Sequence, residues 1–366
     1  MIVLGGTDYF RPRRLERPNN HPRFIYFPSE FTLGGRGARF FEQLRRQRFD
    51  ALCKKIKTVA QEEQIGYIIG IYPDSLYCLA ACRVAKELGI PFASYFHNTY
   101  VENVHLKEKN AEAIQAEIFE ASTHIFVMSK GMQRFYEQKY QLDKFVPLVH
   151  TFDDYPAPNS LSGIPGSNKS TYHLVAIGNF NESNIDATRR LINAIKNNPK
   201  YELDIYTHVP KLLLQQRGLD TVAINHRGFV TPDQVHTVLQ QYDIAILTHG
   251  FTGGYGEVEY QTIFPTRTIP LLLSGKPIFA HSPKGSFLND FLMENECAEL
   301  VDETDEKAII AGLDRVADNI SYQQQLVEAA RRTADQFYGK RVVKFLKVKL
   351  QEKRGGQSKT TPAPQS

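Results

Sequence analysis

Short apolar runs alternate with amphipathic helical stretches along almost the whole chain, and that alternation restricts the fold more than any other feature. Runs that are apolar on both faces must be covered by helices on both sides, and strand–helix–strand connections make neighbouring strands parallel. In the first half the pattern predicts strands at 2–4, 23–27, 66–70, 91–95 and 124–128, with helices at 38–63, 75–88, 103–120 and 130–140. The turn Leu88-Gly89-Ile90-Pro91 carries a glycine just past a helix and a proline opening the next segment. Between 155 and 170 the alternation lapses in YPAPNSLSGIPGSNKS, which has no period and reads as a linker. It restarts with strands at 173–177, 203–206, 222–225, 244–247, 277–280 and 298–301. Helices are expected at 184–197, 211–217, 232–242, 264–274, 286–295 and 306–318, then a closing pair at 321–337 and 341–353. The fold class this predicts is α/β, two Rossmann-like, doubly wound domains facing a cleft, with ligands at the carboxyl ends of the strands. The domains are expected at 1–155 and 171–337, joined by a linker at 156–170 and followed by a helix at 338–354 and a disordered tail at 355–366.

The 366 residues, 42% hydrophobic and 23% charged, suffice for two such cores and exclude a wholly disordered, collagenous or disulfide-scaffold chain. Lys+Arg 44 against Asp+Glu 40 gives a net charge of +4, too mild to indicate nucleic acid, so no nucleic-acid partner is expected. No apolar run approaches the roughly 20 residues of a membrane helix, and the start has no signal-peptide pattern. The four cysteines match neither a zinc spacing nor a disulfide framework; Cys78 and Cys82 fall on one helix face and read as buried free thiols. The expectation is a soluble, reduced, cytoplasmic protein.

The most informative segment is FPTRTIPLLLSGKP, Phe264 to Pro277. It reads as a backbone turn running straight into a short helix with Arg267 in its first turn. Free amides at a helix start, the helix dipole and a guanidinium together would cradle a diphosphate. The alternative is an ordinary amphipathic helix packed on a sheet.

This segment resembles the nucleotide-sugar half of a GT-B glycosyltransferase of the family-4 type (glycosyl transferases group 1). Pro265-Thr266-Arg267 stands where that family commonly has Pro-Ser-Lys, and Leu273-Ser274-Gly275-Lys276-Pro277 where it has Leu-Ala-Ala-Gly-Lys-Pro. Three more segments of the second half follow in the family's order: 173–184 with Gly178, Arg227-Gly-Phe-Val through Tyr242-Asp243-Ile, and Ser282-Pro-Lys-Gly-Ser286. In the first half, Gly89-Ile90-Pro91 leads through a strand to His97, and 122–132 is similar to the family's A-D-x-I-x-V-S-x-x-M. The resemblance, over about residues 60 to 345, implies a hexosyltransferase-type enzyme of polysaccharide biosynthesis. It would move a sugar from a nucleoside-diphosphate sugar to a glycan or lipid-linked acceptor with retention at the anomeric carbon. It implies no cofactor and no metal, and a final helix that crosses back onto the first domain. It gives donor contacts to Gly178, Asn179, Phe264, Pro265, Thr266 and Arg267, and the contact with the transferred sugar to His97, which follows a buried strand in SYFHNTY. A histidine there can also serve only to hold a loop carbonyl.

Two departures stand out. Family members carry glutamates eight positions apart around this helix, the second holding the ribose; here those positions are Thr262 and Pro270. Glu257 and Glu259, just upstream, are candidates to supply a carboxylate instead, and His249, after a strand on the donor side, is a further candidate. The resemblance also implies a strand, a glycine-rich turn and a helix before residues 2–4, for which this chain has no room. Either the start is late by some tens of residues or the first domain is truncated, and the neighbour of the first strand is expected to be absent or replaced. Gly34-Gly35-Arg36-Gly37 is then the candidate loop if the sheet is complete. The basic stretch Arg36, Arg39, Arg45, Arg46, Arg48, Lys54, Lys55 and Lys57 has Phe40, Phe41, Leu44, Phe49, Leu52 and Ile56 at helical spacing. It is either a peripheral contact with anionic membrane or a solvated helix face. Two other functions stay open: a catalytically silent GT-B binding or partner subunit, which Pro270 favours, and a sugar-nucleotide epimerase of the same architecture.

Overall fold

The computed structural model describes residues 1–8, 23–30, 47–103, 108, 110–156, 169–251 and 256–352. The chain groups into two compact units, one of residues 1–97 and 109–125, the other of 98–108 and 126–366.

In the first unit β1 (Ile2–Asp8) and β2 (Arg23–Glu30) form a two-stranded parallel sheet. β3 (Ile68–Tyr72) and β4 (Phe92–Phe96) are parallel and begin a four-stranded sheet in the order β3–β4–β5–β6, with β5 at His124–Val127 and β6 at Phe145–Pro147. β1 pairs with β2 in a sheet separate from β3–β6, and the glycine cluster 34–37 lies outside the described residues. Helix α1 (Phe49–Glu62) turns Ile56 inward, with Phe49 and Leu52, against Ala80 and Val84 of α2 (Ser75–Leu88). The apolar residues of the described half of the basic stretch are thus used by the core, while Lys54 and Lys55 face solvent; residues 36–46 lie outside the described set. α2 has the bounds its punctuation predicts. Asp74 accepts from the Tyr77 amide at 3.1 Å, and Gly89 ends the helix at φ 66°. Cys78 and Cys82 are buried free thiols on that helix, and burial pushes Cys82 up to about 11. α3 (Ala111–Ala121) is shorter than expected at its start, where part of 103–110 is outside the described residues.

The second unit holds α4 (Lys130–Tyr140) and a six-stranded sheet built from β7 (Tyr172–Ile177), β8 (Tyr201–Tyr206), β9 (Asn225–Gly228), β10 (Ile244–Thr248), β11 (Ile278–His281) and β12 (Glu299–Val301). Its order is β12–β11–β10–β7–β8–β9, parallel throughout. That is the doubly wound arrangement, and the chain reverses direction across the sheet between β7 and β10. The helices are α5 (Ile185–Ile195), α6 (Lys211–Gln216), α7 (Val235–Leu239), α8 (Glu257–Thr262), α9 (Thr268–Leu272), α10 (Phe287–Asn295), α11 (Glu306–Asp318), α12 (Ile320–Ala334) and α13 (Gly339–Gln351). The linker residues 157–168 and the tail from 353 lie outside the described residues.

Several expectations need correction, and the short β6 is a strand that the alternation does not announce. The strand expected at 222–225 lies at Asn225–Gly228, while Val222 is 89% exposed in the preceding turn. β9 is an edge strand, so its sequence Asn-His-Arg-Gly need not be apolar. The helix expected at 264–274 is only Thr268–Leu272. Starting there puts Pro270 in the first turn, where a missing N–H breaks no intrahelical bond. α8 was not expected, because its six residues follow the glycine-rich GFTGGYG and carry too little periodicity.

Candidate functional site

The reversal between β7 and β10 leaves a crevice at the carboxyl ends of these two strands, where open α/β sheets bind ligands. Gly178 follows β7 with φ +132°, a conformation that suits glycine, and its amide donates to the Tyr206 carbonyl at 3.0 Å. Beyond it Asn184 ties the loop down. Its side chain donates to the Asn179 carbonyl at 3.0 Å and accepts from the Asn181 amide at 3.0 Å. On the other strand Thr248 is buried, its hydroxyl 2.8 Å from that of Thr188 on α5.

Arg267 joins the two strand ends. One guanidinium nitrogen donates to the Thr248 carbonyl at 2.6 Å, the other reaches the Asn179 carbonyl at 3.5 Å, and its side chain lies against Gly178. Arg267 caps α9 rather than standing in its first turn, which corrects the sequence reading. The amides of Thr268 and Ile269 bond to the carbonyls of Pro265 and Thr266. With a helix this short and those amides used, the guanidinium is the main source of positive charge. Burial lowers its pKa to about 10, so it stays cationic near neutral pH but lacks part of its solvation. An anion beside it would restore that loss.

A cavity of about 250 Å³ opens against Arg267. Besides Gly178, Thr266 and Arg267 its lining is apolar, with Phe229, Val230, Pro232, Pro270 and Leu271 among it. A largely apolar slot with a cation in its lining suits a flat ring carrying a phosphate. Phe229 and Val230 fall within the 227–230 segment that carries the resemblance. Phe229 is 54% exposed and Val230 buried, both just after edge strand β9, a placement that no local pattern announces.

The other candidates are placed as follows. Phe264 is core, stacked on Phe337 at 5.3 Å and edge-on to Phe291 at 4.9 Å; neither it nor Pro265 lines the cavity. Asn179 contributes its carbonyl to Arg267. Glu257 is exposed and accepts from Gln261 at 3.3 Å. Glu259 is buried and accepts from the Thr99 hydroxyl at 2.7 Å, and burial raises its pKa. Neither glutamate lines the cavity, and Thr262 is spent on the carbonyl of Val258 at 2.8 Å. His249 is buried directly after β10. His97 directly follows β4, its ring 4.1 Å from that of Tyr95. Among the described residues no cluster of three or more His, Cys, Asp or Glu is arranged to hold a metal, and no helix is long and apolar enough to cross a membrane.

No protein-family model and no curated protein matches the sequence. Solved structures do. Sucrose-phosphate synthase from Thermosynechococcus elongatus is similar over 96% of this chain and 88% of its own, with a TM-score of 0.67 and 14% identity. HepE from Anabaena, solved with UDP and glucose, is similar over 91% of this chain and 87% of its own, with a TM-score of 0.64 and 13% identity. A glycosyltransferase from Rickettsia africae ESF-5 is similar over 90% of this chain and 86% of its own, with a TM-score of 0.63 and 12% identity. These neighbours are GT-B glycosyltransferases, and the architecture expected from strand–helix alternation is theirs. The chain has the GT-B fold.

Proposed function

We propose that this chain is a glycosyltransferase that moves a sugar from a nucleoside-diphosphate sugar to a glycan or lipid-linked acceptor. The observation that carries the reading is Arg267, held between the ends of β7 and β10 and lining a largely apolar cavity as its one cation among the described residues. The base would lie against Phe229, Val230 and Pro270, and the diphosphate against Arg267 and Gly178. Breaking the sugar–phosphate bond leaves negative charge on the departing diphosphate, and a fixed, partly desolvated guanidinium is well suited to stabilise it. HepE, similar in fold, was solved with UDP and glucose, which supports a nucleotide sugar as donor. Hexosyl transfer, retention at the anomeric carbon and the role of His97 at the transferred sugar come from the resemblance. The composition adds a cytoplasmic setting, and the basic 36–57 stretch a peripheral contact with anionic membrane.

Pro270 favours a second reading, a binding subunit without turnover, because it lines the cavity where the resemblance has a ribose-binding carboxylate. Titration calorimetry with UDP and GDP, followed by an assay for sugar release from the matching nucleotide sugars, separates the two. Arg267→Ala should weaken the nucleotide that binds by about 1.5–3 kcal/mol, the scale of a hydrogen bond to a charged group. Unchanged affinity in that variant removes Arg267 from the site, and binding without sugar release or transfer favours the silent subunit.

A further inference from the structure

His249 is 1% exposed and sits one residue past Thr248, whose carbonyl holds the Arg267 guanidinium. Its surroundings fix it in place. The backbone amide donates to the His281 carbonyl at 2.8 Å, and the next residue, Gly250, donates to the Ser183 carbonyl at 2.7 Å. A Cβ at Gly250 would stand 2.8 Å from Asp186 Oδ1 and 2.9 Å from the Ser183 carbonyl, so the backbone is tightly enclosed. The imidazole meets the Tyr260 ring edge-on at 5.4 Å.

The ring also hydrogen-bonds the Tyr260 backbone, in the sense that favours a proton on the ring, while Nε2 has no partner among the described residues. The proton therefore sits on Nδ1, and Nε2 is left as a buried lone pair. Burial and the nearby charge of Arg267 lower the pKa to about 4, so the ring is neutral at physiological pH. A buried acceptor with no donor is a costly thing to keep unless a ligand supplies one.

His249 does not line the cavity that Arg267 lines; it lies next along the strand end that holds the guanidinium. Arg267 thus touches the cavity and, through the Thr248 carbonyl, the strand end that carries His249. We propose that His249 Nε2 accepts a hydrogen bond from a hydroxyl of the donor's sugar, and so selects a donor that carries that hydroxyl. This rests on the nucleotide-sugar reading above. A lone pair selects a hydroxyl over its deoxy analogue because only the hydroxyl can donate.

The test is titration calorimetry of wild type, His249→Gln and His249→Phe with UDP, UDP-glucose, GDP and GDP-mannose. Glutamine can keep an acceptor near the Nε2 position; phenylalanine keeps the ring and removes it. For whichever base the wild type binds, His249→Phe should leave the free diphosphate within twofold and weaken the sugar nucleotide at least tenfold. His249→Gln should recover most of that loss. Equal weakening of diphosphate and sugar nucleotide, or no weakening of either, overturns the assignment while leaving the nucleotide-sugar reading standing. If His249→Phe does not fold, His249→Gln carries the test with mono-deoxy sugar donors. One deoxy position should lose at least tenfold in wild type, and no loss at any position overturns the assignment. A wild type that binds none of the four ligands overturns the reading beneath it and this assignment together.

Discussion

Glu259 and Arg267 are both ionisable groups taken out of water, but they are supported differently. Arg267 has carbonyl acceptors for its guanidinium, whereas the Glu259 carboxyl, 6% exposed, accepts from the Thr99 hydroxyl at 2.7 Å while burial raises its pKa. The sign of the consequence follows from linkage. An unfolded glutamate ionises near its ordinary value of 4.5, and the folded one only at higher pH. Below the ordinary value both states are protonated and the side chain costs nothing. As pH rises from there through the folded value, that stability is lost. Glu259→Gln keeps an acceptor for Thr99 and removes the charge. Its melting temperature should equal that of wild type near pH 4 and exceed it at pH 8. A wild type that is the more stable at pH 8 would mean that a cation compensates the carboxylate.

At the scale of elements, α9 shows how two prolines shape a site. Pro265 shapes the turn that precedes it, and Pro270 is tolerated because the helix begins at Thr268, two residues earlier. Replacing Pro270 with glutamate puts an acidic side chain in a first turn, where the dipole favours it, and on the cavity wall. Pro270→Glu should tighten UDP by about 1 kcal/mol, the value of one hydrogen bond to the ribose, with no gain for 2′-deoxyUDP. Calorimetry on the two nucleotides decides it; an equal gain on both, or none, rejects a ribose contact at this position. The elements that the sequence made legible are those with their own punctuation. α2 starts at Asp74 and ends at Gly89, and α4 starts at Ser129, which accepts from the Met132 amide at 2.9 Å. The ones it hid lack such marks: β9 is polar because it is an edge, and α8 is a single short run after glycines. The same limit governs the site. Arg267 could be singled out from a helix start, and Gly178 from a strand end. The orphaned Nε2 of His249 and the cavity wall at Phe229 depend on long-range packing that no local spacing encodes.

For the whole molecule, we place the division between the halves within 156–170, on the lapse of strand–helix alternation there. The residues that lead into it are nevertheless tied to the far end of the chain. Phe152 forms a parallel bridge with Tyr338, its amide donating to the Phe337 carbonyl at 3.1 Å and its carbonyl accepting from the Gly339 amide at 2.8 Å. Tyr155 donates to Asp335 at 2.7 Å, and the rings of Phe152, Tyr155 and Tyr338 pack within 4.9–5.7 Å of one another. Gly339 suits this junction, since a Cβ there would stand 2.9 Å from the Phe152 carbonyl. The segment entering the linker is thus held by the segment entering α13, and cutting the linker leaves that clasp intact. Brief proteolysis should cut between 157 and 168 and yield two fragments on a denaturing gel that still elute together in native size exclusion. Tyr338→Pro leaves the linker untouched but breaks the clasp by removing the phenol and disturbing the bridge geometry. After the same cut its fragments should separate at much lower denaturant than those of wild type. Fragments of the wild type that part as soon as the linker is cut would show that the clasp does not hold the halves, and a chain that resists cutting there would reject 156–170 as the division.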